Sequence, residues 1–222
     1  MPEIESHERV NDILLGPLER PALQWFAAHM PAWANPDIMT GIGLFGAAVV
    51  FTGYALSNLD KGFLWLASLG LVLNWFGDSL DGTLARYRKI ERPKYGFFID
   101  RTVDSLSEFL VFTGLGVSPF MKLEIALFAF IGYLFMSIMV YVRTCVDGHF
   151  QISYGKIGPT ELRVIIILAN AAIFFFGNPQ INLSFASVTI FDVFGLAITG
   201  GLLFTFVVST IRQGRYLAKL DA

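Results

Sequence analysis

The chain has 222 residues, 55% of them hydrophobic and only 15% charged, with a mean hydropathy of +0.60. Soluble domains carry about a quarter charged residues, so this composition excludes an ordinary water-soluble domain and points to an integral membrane protein. A net charge of −2 excludes a global basic field for nucleic acid, and the single cysteine, Cys145, excludes an internal disulfide. Cys145 lies in an apolar run and reads as a small core residue.

In chain order, the opening MPEIESHERVNDILLG is acidic and lacks the basic-then-apolar pattern of a cleaved signal peptide, so it is expected to stay on the mature protein. The following stretch mixes charges with Leu, Trp and Phe. It predicts an amphipathic helix lying along the membrane surface, broken near Pro17 and Pro21 and docked through Trp25, Phe26 and Trp33. Residues 1–34 are therefore read as a juxtamembrane segment and residues 35–222 as a transmembrane domain, with no fixed-period repeat.

A spanning helix needs roughly 20 mostly apolar residues. Six segments qualify, at about 36–57, 62–85, 96–117, 122–145, 160–178 and 186–211. The breaks between them, SNLDKG, ERPKYG, GVSPF, SYGKIGP and GNPQIN, carry turn chemistry. In YGKIGPTELR, a loop at 155–159 precedes a helix for which Thr160 is the expected cap and Glu161 a first-turn acid. The expected fold class is all-α and polytopic: six transmembrane helices after an amphipathic surface helix.

Arg86, Arg88, Lys89, Arg92 and Lys94 follow the second span, Arg143, Lys156 and Arg163 surround the loop after the fourth, and Arg212, Arg215 and Lys219 end the chain. Arg9 and Arg20 precede the first span, whereas the opposite loops hold only Lys61 and Lys122. Positive residues mark the cytoplasmic side. Both termini and the aspartates described next are thus expected to face the cytoplasm, from an inner or plasma membrane in a prokaryote or the endoplasmic reticulum in a eukaryote.

Residues three and four apart share a helix face. Asp78, Asp81, Gly82 and Ala85 form one such stripe at the end of the second span, and Gly96, Asp100 and Asp104 another at the start of the third. The short connection from Tyr87 to Tyr95 makes the two helices antiparallel neighbours, so their stripes can bring four carboxylates together. Four anions in a partly desolvated site repel unless countered. Oxygen-only donors suit a hard divalent cation, Mg²⁺ or Mn²⁺, and two such ions would balance four carboxylates. The glycines let a bulky ligand approach the backbone, and Arg86 is suited to phosphate. Together these features describe a site for a pyrophosphate-bearing substrate.

A divalent-cation transporter is the rival from another class, since transporters also place acids within the membrane. Against it, the aspartates concentrate at one end of two adjacent spans, no repeat is present, and Arg86 would stand beside a cation path.

The arrangement Asp78-x2-Asp81-Gly82-x2-Ala85-Arg86-x9-Gly96-x3-Asp100-x3-Asp104 also resembles the signature of the CDP-alcohol phosphotransferase family of membrane enzymes. From average residue usage, such a match arises by chance at fewer than about one in 10⁹ starting points. The WANPDIMTGIGL segment, with Asn35, Pro36 and Thr40, is similar to a Pro-Asn-x-x-Thr-like segment of many members, with its first two residues in reversed order. The resemblance implies six transmembrane helices, a cytoplasmic site, and transfer of a phospho-alcohol group from a CDP-linked donor to an acceptor hydroxyl with release of CMP. It also implies that Asp78, Asp81, Asp100 and Asp104 hold two divalent cations, with Asp104 as general base. Gly82, Ala85, Arg86 and Gly96, with Asn35 and Thr40, would hold the cytidine and phosphates. At least one substrate would be a membrane lipid, and members are commonly homodimers.

The donor suggested is CDP-diacylglycerol. Arg143, Lys156 and Arg163 read either as an anion pocket for a phosphorylated acceptor, inositol phosphate or glycerol phosphate, or as positive-inside charge drawn to lipid phosphates. In inositol-phosphate-using relatives, basic residues in this part of the chain resemble such a pocket. Serine, free inositol, and CDP-choline or CDP-ethanolamine donating to a lipid alcohol stay open. Glu108, one turn beyond Asp104, either orients the acceptor, pairs with a cation or makes a structural hydrogen bond. His149 reads as a loop residue and Asp192 has no evident partner.

Overall fold

A computed structural model describes residues 14–147, 158–183 and 186–220 of the chain. The described helices are α1 (Gly16–His29), α2 (Pro36–Leu56), α3 (Phe63–Arg88), α4 (Pro93–Val117), α5 (Leu123–Asp147), α6 (Pro159–Phe176) and α7 (Ile190–Leu220). Between α6 and α7 lies an antiparallel hairpin, β1 (Gln180–Leu183) with β2 (Ala186–Thr189), in which Gln180 pairs with Thr189.

Helices α2, α3, α5, α6 and α7 are long and apolar enough to cross a membrane, and apart from the hairpin this is an all-α membrane protein. Phe45, Phe128, Leu168 and Phe204 stand exposed on the outer surfaces of these helices, an arrangement that lipid tolerates and water does not. Cys145 is a correction to the sequence reading: it is exposed on α5 between the exposed Val142 and Val146. In a membrane protein the outside is as apolar as the core, so an apolar run does not distinguish the two. The helix expected at 96–117 forms as α4, but Lys94, Asp100, Arg101, Asp104 and Glu108 separate it from the five apolar helices. The final span starts at Ile190 rather than 186, because the preceding residues form β2.

The core of the fold is a seam of small residues between α2 and α3. A Cβ on Gly46 would stand 2.4 Å from the Asn74 nitrogen, and one on Gly77 2.2 Å from the Gly43 nitrogen. Gly53 and Gly70 meet the Ala67 and Val50 backbones in the same way. Within a bilayer, helices associate through such close backbone packing because lipid offers no hydrophobic drive between them. Asn74 Nδ2 adds a buried hydrogen bond of 2.9 Å to the Gly43 carbonyl. The seam fixes the depth of α3 against α2, and with it the position of every side chain near Gly77.

Helix α1 packs Leu23 and Ala27 against Leu80, Leu84 and Met39 while leaving Leu18 and Trp25 exposed, the two-sidedness of an interfacial helix. The expected break near Pro17 and Pro21 does not occur. Pro17 sits in the first turn, where its missing N–H costs nothing, and Pro21 is carried inside a continuous helix. Tertiary anchors outweigh the one lost hydrogen bond. Glu19 Oε1 accepts from Trp75 Nε1 at 2.8 Å, Ser79 Oγ at 3.1 Å and Thr160 Oγ1 at 3.0 Å, tying α1 to α3 and α6. At the other end of α1, Arg88 donates to the carbonyls of Met30, Pro31 and Ala34.

Thr160 is accordingly not the cap of α6. Gly158 precedes the helix, Pro159 opens it, and Glu161 Oε2 accepts from the Gly158 nitrogen at 2.9 Å while its Oε1 accepts from Leu15 N at 2.8 Å. At the far end of the bundle, Tyr54 donates to Asn170 Oδ1 at 2.9 Å and Asn170 donates to Ser68 Oγ at 3.1 Å, joining α2, α6 and α3. Asp192, without an evident partner in the sequence, is fully buried. It accepts from Lys122 N at 2.8 Å and Thr189 N at 2.9 Å, so it caps α7 and fixes the start of α5.

Candidate active site

Where the seam nears the end of α3, α2, α3 and α4 enclose a small polar pocket. Thr40, Gly43, Asn74, Asp78, Asp81, Asp100, Asp104 and Ser107 contribute to its wall. Asp78, Asp100 and Asp104 offer carboxylate oxygens that all lie within 4.8 Å of one another. Asp81 lines the same pocket one turn further along α3 and is held by its neighbours: Thr40 Oγ1 donates to Oδ2 at 2.7 Å and Gly82 N to Oδ1 at 2.5 Å. The two stripes thus face each other, as the spacing requires.

Two guanidinium groups counter these acids. Arg163 of α6 donates through Nη2 to Asp78 Oδ2 at 2.6 Å and through Nε to Asn74 Oδ1 at 2.9 Å. Asn74 passes the constraint on to Gly43, so Arg163 is oriented by the seam. Arg101 donates to Asp100 Oδ2 at 2.5 Å and to Asp104 Oδ2 at 3.0 Å. Both arginines are largely buried, and their pairs are charge-assisted. The sequence reading missed Arg101 altogether. Its signal was an arginine next to one motif aspartate and three residues before another, within reach of both.

The other expected residues are dispersed. Asn35 caps α2, accepting from Ile38 N at 2.9 Å. Arg86 folds back over Gly82, where a Cβ would meet its Nη1 at 3.3 Å, and donates to Thr83 Oγ1 at 3.2 Å. A Cβ on Gly96 would meet nothing within 4 Å, so packing requires a glycine at neither position. Ala85 is half-buried on α3, with its carbonyl accepting from Ile90 N at 3.0 Å. Glu108 lies one turn beyond Asp104 on α4 and outside the pocket wall. Arg143 is half-buried near the end of α5, outside the pocket wall. Lys156 and His149 lie outside the described residues. Three convergent carboxylates, a fourth beside them and, among the described residues, no histidine or cysteine in the cluster fit a hard divalent cation such as Mg²⁺ or Mn²⁺.

Residues 33–208, which hold this whole pocket, match the model of the CDP-alcohol phosphatidyltransferase family. The chain belongs to that family. Among its relatives, it is 36% identical over 91 residues to phosphatidylinositol phosphate synthase of Cutibacterium acnes, covering 40% of this chain and 41% of that protein. It is 32% identical over 136 residues to archaetidylinositol phosphate synthase of Methanothermobacter thermautotrophicus, covering 61% of this chain and 65% of that one. The matched regions thus span less than two thirds of either relative. The crystal structure of Mycobacterium tuberculosis phosphatidylinositol phosphate synthase with CDP-DAG bound shares the fold, with a TM-score of 0.55, 20% identity, and coverage of 84% of this chain and 88% of that one.

Proposed function

We propose that this CDP-alcohol phosphatidyltransferase family member moves the phosphatidyl group of CDP-diacylglycerol to an acceptor hydroxyl and releases CMP. The observation that carries the reading is the convergence of Asp78, Asp100 and Asp104 within 4.8 Å at a pocket also walled by Asp81. These four residues would hold two divalent cations, Mg²⁺ or Mn²⁺, which when bound would draw charge from the pyrophosphate and favour departure of CMP. Asp104, deepest on its stripe, takes the acceptor's proton. Gly82 and Gly96 give the cytidine and phosphates access to bare backbone, with Ala85, Arg86, Asn35 and Thr40 around them. Thr40 also keeps Asp81 in place.

The acceptor is read as a phosphorylated alcohol, inositol phosphate or glycerol phosphate. Two relatives named for inositol phosphate products support the first. Arg143, Lys156 and Arg163 would supply its anion pocket, with Arg163 shared between acceptor and Asp78. Helix α4, 25 residues long and joined by short turns to two apolar helices, is read as the sixth crossing. The Lys and Arg distribution then puts both termini and the pocket on the cytoplasmic side. Residues 1–34 form the juxtamembrane segment and residues 35–222 the transferase domain, working as a homodimer in the bilayer.

The test is CMP release by purified protein with CDP-diacylglycerol, Mg²⁺ or Mn²⁺, and a panel of inositol phosphate, glycerol phosphate, serine and inositol. CMP that requires both metal and one acceptor names the product. Silence across the panel, with CMP released instead from CDP-choline or CDP-ethanolamine, would overturn the donor assignment.

A further inference from the structure

Four carboxylates wall the pocket, and two guanidinium groups bond three of them directly: Arg163 to Asp78, and Arg101 to Asp100 and Asp104. Four negative and two positive charges leave a formal −2. Glu108, one turn beyond Asp104, lies outside the pocket wall. Charge within a membrane protein is expensive unless balanced locally, and a bound cation is part of that balance. A charge of −2 matches one divalent cation, whereas two would leave the pocket at +2.

Both arginines are built in rather than adventitious. Arg163 is fixed by Asn74, itself bonded to the Gly43 backbone, and Arg101 by holding two carboxylates at once. Neither side chain can leave its carboxylate without breaking a second hydrogen bond.

We infer that Arg101 and Arg163 are resident counter-cations that limit the free protein to one tightly held divalent cation, and that a second enters only with the donor. The negative pyrophosphate of the donor restores the balance that a second ion would otherwise upset. The inference deepens the reading above and rests on it for the identity of the donor. Arg101 sets the threshold, because it bonds two of the carboxylates at once while lying outside the α3–α6 pairing.

The experiment is a Mn²⁺ titration of the purified full chain, with free Mn²⁺ read by electron paramagnetic resonance, with and without CDP-diacylglycerol. Wild type is expected to take one tight Mn²⁺ per chain alone and a second when the donor is present. Arg101→Gln is expected to take the second without donor, its affinity for that ion rising on the order of 10- to 100-fold from the removed repulsion. Arg101→Lys, which keeps the charge, should retain the single ion. Two equivalent tight ions in wild type without donor overturn the inference. So does an Arg101→Gln titration that superimposes on wild type, or no second ion with donor. If Arg101→Gln does not fold, the wild-type titrations alone decide. A chain that shows this stoichiometry yet releases no CMP would refute the proposed reaction and leave the counter-cation role standing.

Discussion

Gly77→Ala is the sharpest probe of how the fold serves the pocket, because Gly77 precedes Asp78 and sits in the tightest part of the seam. Its added Cβ would lie 2.2 Å from Gly43 N and 2.4 Å from Met39 O, all backbone, so no rotamer change can relieve it. Restoring ordinary contact at 3.4 Å requires the two helices to part by about 1.2 Å at that level. That movement would stretch the 2.7 Å Thr40–Asp81 and 2.9 Å Asn74–Gly43 hydrogen bonds beyond useful length. Overpacking of this kind costs about 1–3 kcal/mol of stability. A misplacement of roughly 1 Å at reacting groups costs about 10²-fold in rate. The assay is CMP release alongside thermal melting in detergent, with Gly41→Ala as control, since a Cβ there meets nothing within 4 Å. A Gly77→Ala protein with the melting temperature and turnover of wild type would refute the claim that the seam positions the aspartates.

Three further expectations follow from the same contacts. Asp104→Asn should melt like wild type but lose about 10²- to 10⁴-fold in CMP release, the usual worth of a positioned base; a loss below tenfold would move that role elsewhere. Glu19→Ala deprives Trp75, Ser79 and Thr160 of their shared acceptor and should destabilise by about 1–3 kcal/mol, read as a lower melting temperature, whereas an unchanged melt would show α1 to be held by its apolar face alone. Tyr54→Phe leaves Asn170 Oδ1 without its buried donor at a cost again of about 1–3 kcal/mol, and should leave metal binding untouched because the site lies at the other end of α3.

What was legible in the sequence was whatever repeats within one helix. Asp78 and Asp81, and Asp100 and Asp104, share faces by spacing alone, and a short loop between their helices makes the faces meet. Arg163 as partner of Asp78 was not legible, because the two are 85 residues apart and only the packing of α6 on α3 joins them. Asp192 was legible in principle: Thr189-x-x-Asp192 is a capping-box pattern with Asp in the usual Glu place, and the structure uses it so. The hairpin was masked by its own apolar residues, which a hydropathy window adds to the helix that follows. The site glycines and the seam glycines look alike in the sequence. Only the structure shows that Gly77 has a backbone against it while Gly96 has open space.

The glycine seam also divides the pocket into a fixed jaw and a compliant one. Between α2 and α3 the spacing is set by peptide units in direct contact, and there are no rotamers whose exchange could widen or narrow it. Helix α4 reaches the pocket differently, through the side chains of Asp100, Val103, Asp104 and Ser107, the two aspartates tied to each other by Arg101, and its first turn is exposed. Whatever accommodation the pocket makes to the bulk of its contents therefore falls on the jaw that carries Asp100 and Asp104, while Asp78 and Asp81 serve as the reference against which it closes.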